Sequence, residues 1–461
     1  MTKGVSKMKN IIFVAQDRAD ISRDERKNII KSMVEGGDYQ ILLLIINAGE
    51  DKEEYLSING VKQVITSLEL EYMESMEGLS YEEIDRYREL QSDIETNAYR
   101  MFGDYQLSKY YYYEALSFWI RYFDKNVVDM VIHTKAYHGY MFDCCDIVAK
   151  RYGIKSYHMT PIGYNNTFTI YTYRQIIPVF DGRIDNIQYL LQSNYDKKMV
   201  QPTQEKKSYF RRLLYGFGGN LLEDYVMRLI SWNWKPRSYA RKRAKIYWSE
   251  KFFGYIKVKL TQKYVDSISC KPNFKEKYIC YFLHFEPEAA IQVSTELANQ
   301  LVIIKMLSET LPAGWKLYVK EHPVQFDVNH DVGYYFMFDV PLFKTKKFYK
   351  KIISIPNVKL IGNEVESERL IDNARAVSSI LGTVFFESVL KNKPVLVFSR
   401  LNPIAYLKDA FYINSFSECE RAMKKIKDGF SPNYDDADEM VGKYVFKGKY
   451  MAENIMGLLN S

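Results

Sequence analysis

The chain has 461 residues, 47% apolar and 26% charged, a globular balance that excludes a disordered protein and a length that suits two domains better than one core. No run approaches the ~18 apolar residues of a membrane span, the best being Ile41–Ile46, and residues 1–10 are not followed by the apolar stretch of a signal peptide. Net charge is 64 − 57 = +7, but fifteen Lys and Arg against four acids fall between Gln204 and Lys263, a local +11 that leaves about −4 for the rest.

In chain order, a short apolar run at 10–15 predicts a buried parallel strand. Ser22 with Glu25 has the capping-box spacing and opens a helix toward Val34, ended by Gly36-Gly37. A strand over 39–47 follows, then an acidic helical region over 68–100 and an aromatic-rich helix over 110–123. A strand over 127–133, a helix over 141–151 stopped at Gly153, and a strand over 154–158 complete a first α/β unit. The stretch 164–264 has no clear period and holds the basic segment.

A second α/β unit begins at Lys277. Strands are expected at 278–283, 315–320, 357–361, 376–381 and 394–398. Helices are expected at 294–311, 348–353, 367–374, 384–391 and, from the Ser415/Glu418 capping pair, toward Lys427. A final helix is expected over 450–459. The domain division is therefore 1–265, with the basic aromatic insertion at about 204–263, and 266–461.

Ligands of open α/β sheets sit beyond the carboxyl ends of the strands. Three such ends are polar. His284-Phe285-Glu286-Pro287-Glu288 follows the first strand of the second unit. Lys320-Glu321-His322-Pro323 follows the next, where Pro323 holds His322 extended and its imidazole is suited to donate to a phosphate oxygen. Ser378-Ser379-Ile380-Leu381-Gly382-Thr383 leads into a helix carrying Glu387. Gly382 permits close backbone approach, Thr383 and the helix start suit phosphate, and Glu387 suits ribose hydroxyls. In the first unit His133, His138, Asp143 and Asp146 are candidates for the base that deprotonates an acceptor hydroxyl, with His138 and Asp143 foremost. P-loop, GxSxG, HExxH and zinc-type Cys/His spacings are absent, so no metal site is expected. Asp436-Ala437-Asp438 reads as an acidic helix start.

The segments Phe282–Glu288, Leu317–Pro323, Ser379–Glu387 and Lys393–Phe398 together resemble the capsule polysaccharide biosynthesis protein family, which includes Kdo-type transferases using CMP-activated sugars. The resemblance covers about a quarter of the chain. It implies a GT-B fold, two Rossmann-like domains facing across a cleft, with the nucleotide-sugar donor on the C-terminal domain and a final helix, here 450–459, that crosses back to the first domain. His322 would meet the donor phosphate, Gly382 and Thr383 would line the phosphate site, and Glu387 would face the ribose. His284, Glu288, Lys320 and Ser379 join the expected donor-side set, and no cofactor besides the donor is expected. The chain departs from the family at Glu286, where Gln is usual, and at Tyr137-His138-Gly139, where His-Glu-Gly is usual.

The reading is a metal-independent glycosyltransferase of a bacterial surface or capsular polysaccharide. A CDP-polyol phosphotransferase or nucleotide-sugar epimerase of the same fold, and a non-catalytic assembly factor, are the alternatives. The acceptor would be lipid-linked or an oligosaccharide. Basic residues interleaved with aromatics such as Trp232, Trp234 and Phe252 suit an anionic inner-membrane surface, or a solvated helical face, better than nucleic acid. Five cysteines without CxxC spacing suggest reduced thiols in a cytoplasmic protein.

Overall fold

The computed structural model describes residues 8–15, 23–47, 49–71, 73, 77–102, 104–134, 139–173, 175–192, 248–286, 297, 299–326 and 343–461. The Ser22 cap, most of the basic segment and the start of the helix expected at 294 lie outside them. Among the described residues the strands are β1 (Lys9–Val14), β2 (Tyr39–Ile46), β3 (Val64–Thr66), β4 (Met130–His133), β5 (Lys155–Pro161), β6 (Thr167–Thr172), β7 (Gln175–Ile177), β8 (Tyr278–Phe282), β9 (Lys316–Lys320), β10 (Val358–Ile361), β11 (Ala376–Ser379), β12 (Val395–Val397), β13 (Phe411–Tyr412) and β14 (Val445–Lys447).

They form two sheets. The first runs β14-β6-β5-β4-β1-β2-β3, with β7 also on β6, and the second runs β10-β9-β8-β11-β12-β13. Every pairing in the second sheet is parallel. The first sheet is parallel from β3 to β5 and antiparallel at β6, β7 and β14. Parallel strands must be covered on both faces, which explains the unbroken apolar runs IIFV and ILLLII. Helices on both faces supply that cover: Ile29, Ile30 and Met33 of the helix Arg23–Glu35 pack on one face, while Trp119, Tyr112 and Leu116 of the helix Tyr105–Lys125 pack on the other. The fold is α/β, with two mainly parallel sheets meeting across a cleft.

The expected elements occur close to their predicted places, and three differences have physical reasons. The acidic region at 68–100 is three short helices, Ser67–Glu71, Tyr81–Arg86 and Gln91–Phe102; the Ser80 capping box starts the second, and a 3-10 turn at Arg88–Leu90 sets off the third. The strand expected from residue 127 begins only at Met130, because Asn10 ties back Val127 and Asp129. The unread stretch after Tyr164 contains β6, whose TFTIYT is a buried antiparallel strand with one partner, β14, far away in sequence. No described helix is long and apolar enough to cross a membrane. All five cysteines are free, four of them buried.

The chain returns to the first sheet at its end. β14 pairs with β6, and the helix Met451–Asn460 places Met451, Ile455, Leu458 and Leu459 in one core with Ile11, Phe13 and Leu44. Leu458 is fully buried there. Leu458→Ala should therefore destabilise the first sheet by about 2–5 kcal/mol. Hydrogen exchange should quicken at the β1 and β2 amides while β8 and β9 stay protected; unchanged protection of β1 would contradict this packing.

Candidate functional site

In the second sheet the strand order reverses between β8 and β11. The chain proceeds from β8 outward through β9 and β10 on one side, and from β11 through β12 and β13 on the other. Such a switch point opens a crevice at the carboxyl ends of the two central strands. The crevice here is a cleft of about 430 Å³ walled by both sheets. The first sheet contributes Thr160–Tyr164 from the end of β5, with Thr169 and Tyr171 of β6. The second contributes His284, Glu321, His322, Ser379, Gly382, Thr383, Glu387 and Asn402, among others. Tyr164 and Thr383 close it from opposite sides through a 3.0 Å hydroxyl contact.

Of the residues expected from the sequence, His284, His322, Ser379, Gly382, Thr383 and Glu387 meet in this one cleft. Their parts differ from expectation in detail. The Leu381 N–H donates to His284 Nε2 at 2.8 Å, which places the ring proton on Nδ1 and makes this imidazole a tie between β8 and the β11 turn. Ser379 Oγ donates to the Phe282 carbonyl at 2.9 Å and lies 3.2 Å from the same His284 nitrogen. Gly382 is required less by a ligand than by its own turn, since a Cβ there would stand 3.1 Å from both Ser379 Oγ and Val384 Cγ1. The helix behind it, Val384–Leu390, is only seven residues long, so little dipole is available and Thr383 offers mainly its hydroxyl. Burial raises the Glu387 carboxyl above the ordinary carboxylate range; Glu368 adds to this and Lys391 opposes it. At His322, Nδ1 accepts from the Val324 N–H at 3.4 Å, and in the neutral ring the proton then sits on Nε2.

Lys320 and Asp143 are not in the cleft, and two more expected site residues lie outside the described residues. Lys320 follows the period-two alternation of β9 onto the face of Tyr318 and donates to Gly362 O at 3.0 Å and Asn363 Oδ1 at 3.1 Å. Glu286, the residue that departs from the family, turns inward to Gln300 and exchanges 2.9 and 2.8 Å bonds with Gln325 through its main chain, so its charge does not face the cleft. Asp143 is 1% exposed under the helix Gln91–Phe102, where Asn97 donates to it. Burial pushes its carboxyl up to about 8 against the pull of the Asn97 bond, so it stands neutral in the core. The base role expected of Asp143 is thus corrected: it touches nothing in the cleft. His138 and Glu288 lie outside the described residues. Residues not anticipated include Tyr164 and Thr169, hidden in the unread stretch, and Glu321, whose neighbour drew all the attention.

Beside the first-sheet wall, His133 and His158 stack in register on β4 and β5, centroids 4.0 Å apart and planes within 10°, and Tyr171 stacks on His158 at 4.8 Å. Asp146 faces both rings, at 3.3 and 2.8 Å from their Nε2 atoms. Burial raises the Asp146 carboxyl, but His158 and His133 outweigh it and hold it well below the usual range; burial and the charge of His158 lower His133 to about 4. The trio has metal-ligand chemistry. An imidazole binds a metal in its own ring plane, however, and two stacked parallel planes share no such point. The trio is a buried stack, bridged by Asp146, that supports the Tyr171 wall.

No protein-family model and no curated protein matches the chain. Similar solved structures include a putative UDP-N-acetylglucosamine 2-epimerase from Listeria monocytogenes, 10% identical over 98% of this chain and 96% of that one, TM-score 0.26. They also include the β-Kdo 2,4-transferase of Thermosulfurimonas dismutans KpsC, 12% identical over 72% and 86%, TM-score 0.29, and the β-Kdo 2,7-transferase of the same protein, 12% over 75% and 89%, TM-score 0.25. Scores this low leave the reading of the chain to its own cleft.

Asp143 gives a pH test. Its carboxyl rises from 3.8 to about 8 on folding, so the folded state holds a proton that the unfolded chain releases across that window. Its contribution to stability is present in acid and is lost as pH rises toward 8. Asp143→Asn should flatten this dependence, its melting temperature gaining on the wild type between pH 5 and 8. Parallel melting curves for the two proteins would refute a neutral Asp143.

Proposed function

We propose that the protein is a GT-B glycosyltransferase that takes a nucleotide-activated sugar, with a CMP-sugar favoured, and builds a bacterial surface or capsular polysaccharide. The observation that carries this reading is the meeting of His322, Thr383 and Glu387 in one interdomain cleft at a strand switch point. The family resemblance assigns these same positions to phosphate and ribose. In the reaction, the acceptor oxygen bonds to the anomeric carbon as the carbon–phosphate oxygen bond breaks, the nucleotide leaves with its electron pair, and the acceptor hydroxyl's proton passes to a base, the role the sequence offers to His138. His322 donates a hydrogen bond to the departing phosphate and the Thr383 hydroxyl adds a second. Glu387 accepts from ribose hydroxyls. Neither a metal nor a cofactor is assigned to this step. The acceptor is assigned to the first unit, to which residues 445–460 return, and the basic segment supports peripheral contact with the inner face of the membrane near a lipid-linked acceptor.

One observation favours a second reading, a non-catalytic assembly factor that retains nucleotide binding. The described first-sheet residues of the cleft, Thr160–Tyr164, Thr169 and Tyr171, include neither a carboxylate nor an imidazole to serve as base. An epimerase or CDP-polyol phosphotransferase is told apart by its product.

The test is thermal stabilisation by CMP, CDP, UDP, GDP and TDP, followed by sugar transfer. A nucleotide at a hundred times its Kd should stabilise by about 2.7 kcal/mol. His322→Ala should abolish both stabilisation and transfer. Full transfer by that variant would end the proposal, and binding without turnover would favour the assembly factor.

A further inference from the structure

Beneath the cleft lies a charged group that none of the sequence motifs contains. Lys344 is buried, with its side chain fully enclosed, and its ammonium sits 2.8 Å from Glu321 Oε1, itself 1% exposed. The same ammonium donates to the His284 carbonyl oxygen. Glu321 Oε1 also accepts the His322 N–H at 2.6 Å, while Oε2 accepts the Tyr349 hydroxyl at 2.6 Å. One cation thus joins the ends of β8 and β9, and His284 carries the tie on to β11 through Leu381. Each of the three strand ends bears a residue of the cleft.

A buried ion pair is a poor source of stability, because desolvation offsets most of its attraction; fixing geometry is what such a pair does better. Here its bonds go to the main chain at His284 and His322, so they set where those two imidazoles stand.

We propose that Lys344 is a positioning residue of the cleft, which through Glu321 and the His284 carbonyl fixes the placement of His322 against the ligand. The phosphate contact assumed for His322 rests on the donor-site reading above; the geometric part does not.

The test uses full-length protein. Lys344→Met keeps the stem and removes the charge. Lys344→Met with Glu321→Gln leaves no lone buried carboxylate, so it keeps a folded control available. Two measurements are made: the imidazole NMR signals of the six histidines, with His322 and His284 assigned by substitution, and the Kd for whichever of CMP, CDP, UDP, GDP or TDP stabilises the wild type. In both variants the His322 and His284 signals should move while those of His133 and His158 stay, and Kd should rise about tenfold or more. Melting should recover in the double variant without recovery of Kd. An unmoved His322 signal in the double variant, or shifts spread over all six histidines that the double variant reverses, would overturn the proposal and leave Lys344 a plain stability element. Should the wild type bind none of the five nucleotides, the donor-site reading fails, and the NMR signals still decide whether Lys344 places His322.

Discussion

The cleft depends on one constraint, the bond from the Leu381 N–H to His284 Nε2. It spans β8 and β11, the two strands between which the chain reverses direction across the sheet. Strand order opens a crevice at that place, but strand order alone leaves the loops free to drift. With the imidazole accepting a backbone donor, the turn that carries Gly382 and Thr383 is locked to the end of β8. The ring is used on structure, while His322 and Thr383 line the cleft beside it.

A second group of interactions works from below. Tyr349, Glu321 and Lys344 form a buried polar cluster that bonds to main-chain atoms of the strand tips at His284 and His322. Polar groups this deep are costly unless each finds a partner, and the cluster is built so that the carboxylate meets three donors. The first-sheet wall is made differently, from hydroxyls and rings backed by the stacked His133, His158 and Tyr171. One side of the cleft is thus organised around charge and the other around shape.

Much of this was legible in the sequence. Parallel strands buried on both faces advertise themselves as apolar runs, and polar residues directly after such runs mark the strand ends; this is why the shared placement of His322, Thr383 and Glu387 in one cleft was legible. Lys320 was misassigned because adjacency in sequence says nothing of side, and the alternation of β9 sends its ammonium to Gly362. Asp143 was misassigned because an acid near a strand end looks alike whether it faces solvent or Asn97. Lys344 was invisible, being defined only by partners 23 and 60 residues away. β6 was missed for a related reason: its partner β14 lies in the last twentieth of the chain.

That last pairing bears on how the protein is made. The Thr167–Thr169 half of the outer edge of β6 is closed by residues 445–447, and the apolar face of the first sheet is covered in part by 451–460. A ribosome delivers these pieces only after the whole second sheet has emerged. The first unit must therefore wait, with an open strand edge and uncovered Ile and Leu side chains, while the second unit folds beside it. The order of synthesis and the order of completion run in opposite directions. A nascent chain halted before residue 445 is expected to be a client for chaperones rather than a finished first domain.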